Sequence, residues 1–199
     1  KTVLVTGIGG NVGQGVLRNI RDLNWNIKLI GTNVETFSAG NYLCDFTYKV
    51  PFAYAESYVE VIQNIVEKEK VDIIIPTTDF EIYYLSLYKD QIKAVVVASE
   101  AESAEKYLDK YLTFQYHSSK RIPFVTSWLP SEFTKHEGEI IVKPRRGRGS
   151  RGIVVNPQNP KSFSEEYLIQ PLYKGKEITT AFYVKKDGAL QGVSPGVQR

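Results

Sequence analysis

Short apolar runs bounded by turn residues alternate along the first half of the chain with stretches in which apolar side chains return every three or four positions. Thr2 to Thr6 is β-rich and runs into glycines, and from Asn11 to Leu23 the residues Val12, Val16, Leu17, Ile20 and Leu23 recur at helical spacing. Lys28 to Thr32 reads as a second strand. Tyr58 to Glu67 sets Val59, Ile62, Ile65 and Val66 on one helical face, and Val71 to Pro76 (VDIIIP) reads as a strand buried on both sides. A helix from Phe80 to Tyr88 and a strand from Lys93 to Ala98 complete the pattern. Strands alternating with helices imply right-handed crossovers and a Rossmann-like parallel sheet, with ligands beyond the carboxyl ends of its strands.

From residue 99 the pattern changes. Ser99 with Glu102 has the form of a capping box opening a helix that continues through Lys106, Leu108 and Leu112, and Pro123 ends it before an extended Phe124 to Trp128. Glu139 to Lys143 and Ile153 to Val155 read as strands joined by a loop from Pro144 to Gly152. Tyr167 to Gln170 is another apolar segment. Glu177 opens the strand EITTAFYV, which Lys186-Asp187-Gly188 turns into Ala189 to Val193. This half is antiparallel α+β, so the expected domains are 1–98 and 99–199.

Composition narrows the class. With 42% hydrophobic and 24% charged residues in 199, the chain suits folded globular units. The single cysteine, Cys44, excludes an internal disulfide and suits a reducing cytosol, so a cytoplasmic location is expected. No apolar stretch approaches the roughly 18 residues of a membrane helix. The net charge of +3 conceals an asymmetry: of 25 Lys/Arg and 22 Asp/Glu, residues 1–108 hold ten and fourteen, leaving fifteen and eight for 109–199. The basic second half points to an anionic ligand. Arg145, Arg146, Arg148 and Arg151 are interleaved with Gly147, Gly149 and Gly152, and a merely solvated face has no use for those glycines.

The first glycine-rich turn, Thr6 to Gly13 (TGIGGNVG), can cradle an anion at a helix N-terminus, or can simply permit a tight strand-to-helix turn. A NAD site would add an acid at the end of the second strand, where this chain has Asn33, with Glu35 two residues on. Asp79 in PTTDFE either touches a ligand at the sheet edge or caps the next helix. The loop from Pro144 to Gly152 forms a hairpin tip able to close over a polyphosphate, with Lys143 directing an ammonium at the same space. It is not a Walker A loop. His117 and His136 are isolated and read as ordinary histidines.

Together these segments resemble the ATP-grasp superfamily, and within it the carbamoyl phosphate synthase large-subunit-like branch. VLVTGIGGNVGQGVLRNI and VDIIIPTTDFE look like its pre-ATP-grasp domain. DKYLTFQYHSSKRIPF, IIVKPRRGRGSRGIVV and YLIQPLYKGKEIT look like the start and middle of the grasp domain. The resemblance implies that Lys110 and Lys143 meet the ATP phosphates, and that Arg146, Arg148, Gly149, Ser150, Arg151 and Gly152 form the loop that folds over them. It implies further that Gln170 and Leu172 meet the adenine, with glutamine where many members have glutamate, and that Glu177 holds the ribose hydroxyls. Magnesium ligands in this family lie beyond residue 199, so none is assigned here, and the grasp domain is expected to be incomplete and inactive by itself. The implied activity is Mg-ATP-dependent activation of a carboxylate, bicarbonate included, as an acyl phosphate captured by an amine. The implied partners are ATP and a small carboxylate, without nucleic acid or membrane, and the resemblance is compatible with a homodimer.

Two other readings have sequence support. Thr6 to Gly13 fits TGxxGxxG, and Tyr116 with Lys120 fits the YxxxK of NAD-dependent short-chain dehydrogenase-like epimerases and reductases, with Ser103 upstream. Asn33 and the unused Arg-Gly loop speak against it. GRGSRG also resembles basic nucleic-acid-binding tracts, but it is short, lies between strands and lacks interleaved aromatics.

Overall fold

The computed structural model describes residues 1–197 except Arg148 and Lys186, and leaves out the side chains of Ala181 and 193–197. The chain divides into two compact units. One comprises Lys1–Phe124 with Arg145–Gly149, the other Val125–Pro144 with Ser150–Arg199.

The first unit is built on five parallel strands, β1 (Thr2–Val5), β2 (Lys28–Asn33), β3 (Phe46–Lys49), β4 (Ile73–Ile75) and β5 (Val95–Val96), in the order β3-β2-β1-β4-β5. Helices α1 (Asn11–Asp22), α2 (Tyr58–Glu69), α3 (Asp79–Leu87), α4 (Ala101–Leu108) and α5 (Lys110–Ser119) belong to the same unit. Strand alternation sends Leu4, Ile30 and Ile74 to one core with Tyr58, Ile62, Ile65 and Val66 of α2 and Leu85 of α3. Val3, Val5 and Leu29 go to a second core with Ile8 and Leu17. The central strands are thus buried on both faces, as an all-parallel sheet requires. Strand order reverses between β1 and β4, which places the turn after β1 and the PTTD turn after β4 side by side at the carboxyl edge.

Three local expectations are corrected. The helix foreseen through Leu108 and Leu112 is two helices: Asp109 is extended (φ −103°, ψ 113°) and its carboxylate accepts the N–H groups of Tyr111 and Leu112, ending α4 and capping α5. The Ser99/Glu102 capping box does not form, because α4 starts from Glu100 without a side-chain cap and Glu102 instead pairs with Lys106 at 2.8 Å. Asp79 is not the cap of α3. Thr78 is, its hydroxyl accepting the N–H of Glu81, and Asp79 is the first helical residue. Strand β3 was not foreseen.

The second unit contains β6 (Ile140–Pro144) flanked antiparallel by β7 (Val154–Val155) and β8 (Tyr167–Pro171), in the order β7-β6-β8. A separate antiparallel pair, β9 (Ile178–Val184) and β10 (Leu190–Val197), follows. Phe133, Ile140, Val142 and Ile169 form the core beside Trp128, which bridges to Ile169. Lys186 of the expected β9–β10 turn lies outside the described residues. Gly188, in the same turn, has the left-handed φ (82°) such a turn uses.

Candidate functional site

The glycine turn after β1 is explained by packing. Gly7 has φ +57°, and a Cβ on Gly13 would lie 2.6 Å from the Gly7 carbonyl oxygen and 2.9 Å from Ile8 Cα. A Cβ on Gly9 would lie 2.8 Å from the Asn33 amide nitrogen, so Asn33 lies against the turn. Beside it, Thr6 accepts the N–H of Thr77 and the Thr77 hydroxyl donates to the Thr6 carbonyl at 2.7 Å, tying the two carboxyl-edge turns together. Glu81, 7% exposed, accepts from Thr78 at 2.8 Å and from Tyr58 at 3.5 Å. Burial and the neighbouring carboxylate push the Tyr58 phenol far up.

Three basic residues of the first unit, Lys110, Arg145 and Arg146, gather at the start of α5. Lys110 is its first residue, and its ammonium donates to the carbonyls of Arg145 (3.1 Å) and Gly147 (3.4 Å). Burial lowers its pKa, opposed by the charges of Asp79 and Asp109. Arg145 donates to Asp109 through Nε (3.2 Å) and Nη2 (2.8 Å), and Arg146 lies 3.5 Å from Asp109 and 3.7 Å from Glu105. Of the expected loop residues, Arg146 therefore stands on carboxylates of its own unit. Arg148 lies outside the described residues. Gly149 (φ 62°) begins the turn that Ser150 (φ 54°), Arg151 and Gly152 (φ 71°) continue into β7, with Ser150, Arg151 and Gly152 exposed.

In the second unit, Lys143 sits on β6 opposite Leu168. A Cβ on Gly152 would lie 3.1 Å from Pro144 Cγ, so the loop closes tightly onto the end of its own strand. Gln170 on β8 is 4% exposed and its amide nitrogen donates to the Ser127 hydroxyl at 2.7 Å. The Leu172 N–H goes to the Glu139 carbonyl at 2.8 Å, and Glu177 is exposed just before β9. Strand register thus keeps Lys143, Gln170, Leu172 and Glu177 within one unit, while Lys110 and Arg146 belong to the other. Sequence reasoning overlooked Asp109 and Arg145 as partners. No local signal marks the pair, since Lys106, Leu108 and Leu112 keep helical spacing through Asp109 and Arg145 lies 36 residues away.

The histidines have structural roles. The His117 ring stacks on Phe124 at 4.7 Å with Nδ1 2.8 Å from the Thr113 carbonyl oxygen, and His136 lies beside Trp128. Tyr116 carries the Lys106 ammonium over its ring at 4.5 Å, and Lys120 is the C-cap of α5. Among the described residues no group of three or more His, Cys, Asp or Glu could hold a metal ion, and no helix is long and apolar enough to cross a membrane.

Comparison with known proteins gives the family. Residues 3–99 match the family described as PylC-like, N-terminal domain, and residues 107–191 match the ATP-grasp domain. No curated protein sequence gives a significant match. Among solved structures, the fold resembles N5-carboxyaminoimidazole synthetase from Staphylococcus aureus complexed with ADP (14% identity, TM-score 0.74, covering 100% of this chain and 55% of that one). It also resembles an L-amino acid ligase from Bacillus licheniformis (11%, 0.71, 99% and 50%). A third neighbour is the biotin carboxylase domain of a Hydrogenobacter thermophilus 2-oxoglutarate carboxylase, solved with MgADP and bicarbonate (16%, 0.68, 96% and 48%). The chain spans about half the length of these neighbours, so relative to them its grasp domain is incomplete. The dehydrogenase alternative finds no support in these matches. The parallel-sheet unit with its PylC-like signature, followed by the antiparallel strands that the ATP-grasp match covers, establishes that this chain belongs to the ATP-grasp superfamily.

Proposed function

We propose that the chain supplies the ATP-binding portion of a carboxylate–amine ligase. The observation that carries the reading is the segment 144–152 between β6 and β7, in which arginines alternate with glycines, Gly149 and Gly152 having left-handed backbone, while Lys110 holds the carbonyls of Arg145 and Gly147. Backbone N–H groups, guanidiniums and two lysines make a donor set suited to a triphosphate.

In this reading Lys110 and Lys143 meet the phosphates, and Arg146, Arg148, Gly149, Ser150, Arg151 and Gly152 fold over them. Gln170, with its amide nitrogen already given to Ser127, presents its carbonyl oxygen to the adenine amino group. Leu172 lies against the ring and Glu177 accepts from the ribose. A carboxylate oxygen attacks the γ-phosphorus, the bond to the β-phosphate oxygen breaks, and ADP leaves. The amine then attacks the acyl carbon, and inorganic phosphate departs. The cationic side chains stabilise the negative charge that moves onto the β-phosphate oxygen, and loop closure keeps water from the acyl phosphate. Magnesium would supply further neutralisation of ATP, but the described residues do not fit a magnesium site by themselves. The finer assignment is to the carbamoyl phosphate synthase-like branch, with bicarbonate or a small carboxylate as substrate, a cytoplasmic location and a domain division near residue 98.

The test is calorimetric titration of the full-length protein with ATP. Replacing Lys143 by alanine removes one charged hydrogen-bond donor, and the affinity is expected to fall about 10- to 100-fold. The thermal midpoint stays within a few degrees. Unchanged affinity refutes the site.

A further inference from the structure

The side-chain carboxylate of Asp109 is 3% exposed, yet it serves two segments 36 residues apart. On one side it accepts the N–H groups of Tyr111 (2.9 Å) and Leu112 (3.3 Å), closing the N-terminus of α5. On the other it takes the Arg145 guanidinium in a two-point contact, while that guanidinium lies over the Tyr111 ring with its carbon 5.4 Å from the centroid. The opposite direction is also tied: the Lys110 N–H donates to the Arg145 carbonyl at 3.1 Å, and the Lys110 ammonium donates to the carbonyls of Arg145 and Gly147. All of these groups belong to the first unit.

We infer that Asp109 is a positioning residue that locks the root of the Arg-Gly loop to the first turn of α5, so that Lys110 and residues 145–147 present themselves to the nucleotide as one rigid body. The consequence for affinity rests on the ATP reading above; the lock itself does not. An asparagine at 109 keeps an oxygen for the cap, but its amide N–H₂ points donor against donor at the guanidinium. The loop root then loses its fixed carboxylate while α5 retains its start. A buried charge pair broken from one side also strands the other charge, so Arg145 has reason to leave. Lys110 would then hold carbonyls of a segment that no longer stays in place.

The experiment uses the full-length protein with D109N, R145Q and the double variant, and reads two quantities. The first is the rate of tryptic cleavage between residues 145 and 151 without nucleotide. The second is ATP affinity by calorimetry. D109N and R145Q are each expected to accelerate cleavage about tenfold or more and weaken ATP about tenfold, as loss of preorganisation does. The double variant is expected to fall well short of the sum of the singles, since both delete the Asp109–Arg145 contact, while D109N alone also removes the carboxylate that Arg146 approaches at 3.5 Å. If D109N fails to fold, R145Q carries the same comparison with the cap intact. Cleavage unchanged in both single variants overturns the lock. Additive losses in the double variant overturn the claim that the two residues act together. Wild type that does not bind ATP, with cleavage still accelerated in D109N, refutes the nucleotide reading and leaves the lock standing. Accelerated cleavage with unchanged ATP affinity overturns the positioning role.

Discussion

Replacing Gly13 by alanine tests whether the glycine turn exists for packing. The added methyl would stand 2.6 Å from the Gly7 carbonyl oxygen, 2.9 Å from Ile8 Cα and 3.0 Å from the Gly7 carbonyl carbon. All three are backbone atoms, so no side chain can swing aside, and relief requires the first turn of α1 to move off the end of β1. Overpacking costs about 1–3 kcal/mol, and overlap with backbone atoms alone puts this case in the upper part of that range, about 2–3 kcal/mol. Alanine recovers about 1 kcal/mol of that because it prefers the helix to glycine. The net expectation is a loss of roughly 1–2 kcal/mol, or a fall in thermal midpoint of about 2–8 °C for a chain of this size. Gly15, two residues on in the same helix, is the internal control, because a Cβ there meets nothing within 4 Å. Gly15→Ala should therefore stabilise by roughly 0.5–1 kcal/mol. The assay is thermal and urea unfolding by far-ultraviolet circular dichroism, without ligand. Opposite signs support the packing account. A neutral Gly13→Ala, or two variants shifting the same way, would refute it.

Further outcomes follow from the carboxylates and the thiol. Burial disfavours ionised Asp109, but the Arg145 hydrogen bond and the N–H groups of Tyr111 and Leu112 outweigh it and hold its carboxyl below the usual range. Asp45, likewise opposed by burial, is lowered by the Leu29 N–H and Arg21. Groups with depressed folded values contribute stability in full above the ordinary aspartate pKa of about 3.9 and lose it as pH falls through the lower folded value. Urea midpoints should thus hold from neutral pH to about pH 5 and drop below about pH 4, less steeply in D109N than in wild type. An equal drop in both would contradict the assignment. Burial pushes the Cys44 thiol up to about 11, Arg21 opposing and Asp45 assisting. Its reaction with a disulfide reagent at neutral pH should be slower than that of an unfolded chain, and rate parity between the two would contradict the burial.

What the sequence revealed and what it concealed divide along a physical line. Ile73 to Ile75, with Ile74 fully buried and its neighbours partly so, announce a central strand because three successive apolar residues leave neither face polar. Phe46–Lys49 forms the edge strand β3; Phe46, Tyr48 and Val50 do alternate with Thr47 and Lys49, but the run is short and mostly exposed, with Phe46 under the Lys28 ammonium, and was not foreseen. The break between α4 and α5 was hidden for another reason. Lys106, Leu108 and Leu112 keep helical spacing through it, and only the backbone of Asp109 departs. At the site, the lysines were legible from their neighbours in the chain, whereas the carboxylate that Arg145 seeks lies 36 residues away and is visible only after folding.

The first unit is not one continuous stretch of chain, since it borrows Arg145–Gly149 from between two strands of the second. Cutting the polypeptide after Phe124 would discard the guanidinium that neutralises Asp109 and leave a desolvated anion in its interior. Expression boundaries drawn along the linear sequence should therefore yield an unstable amino-terminal product, and supplying the missing short segment in trans would not restore it, because tethering is what keeps that cation at high local concentration.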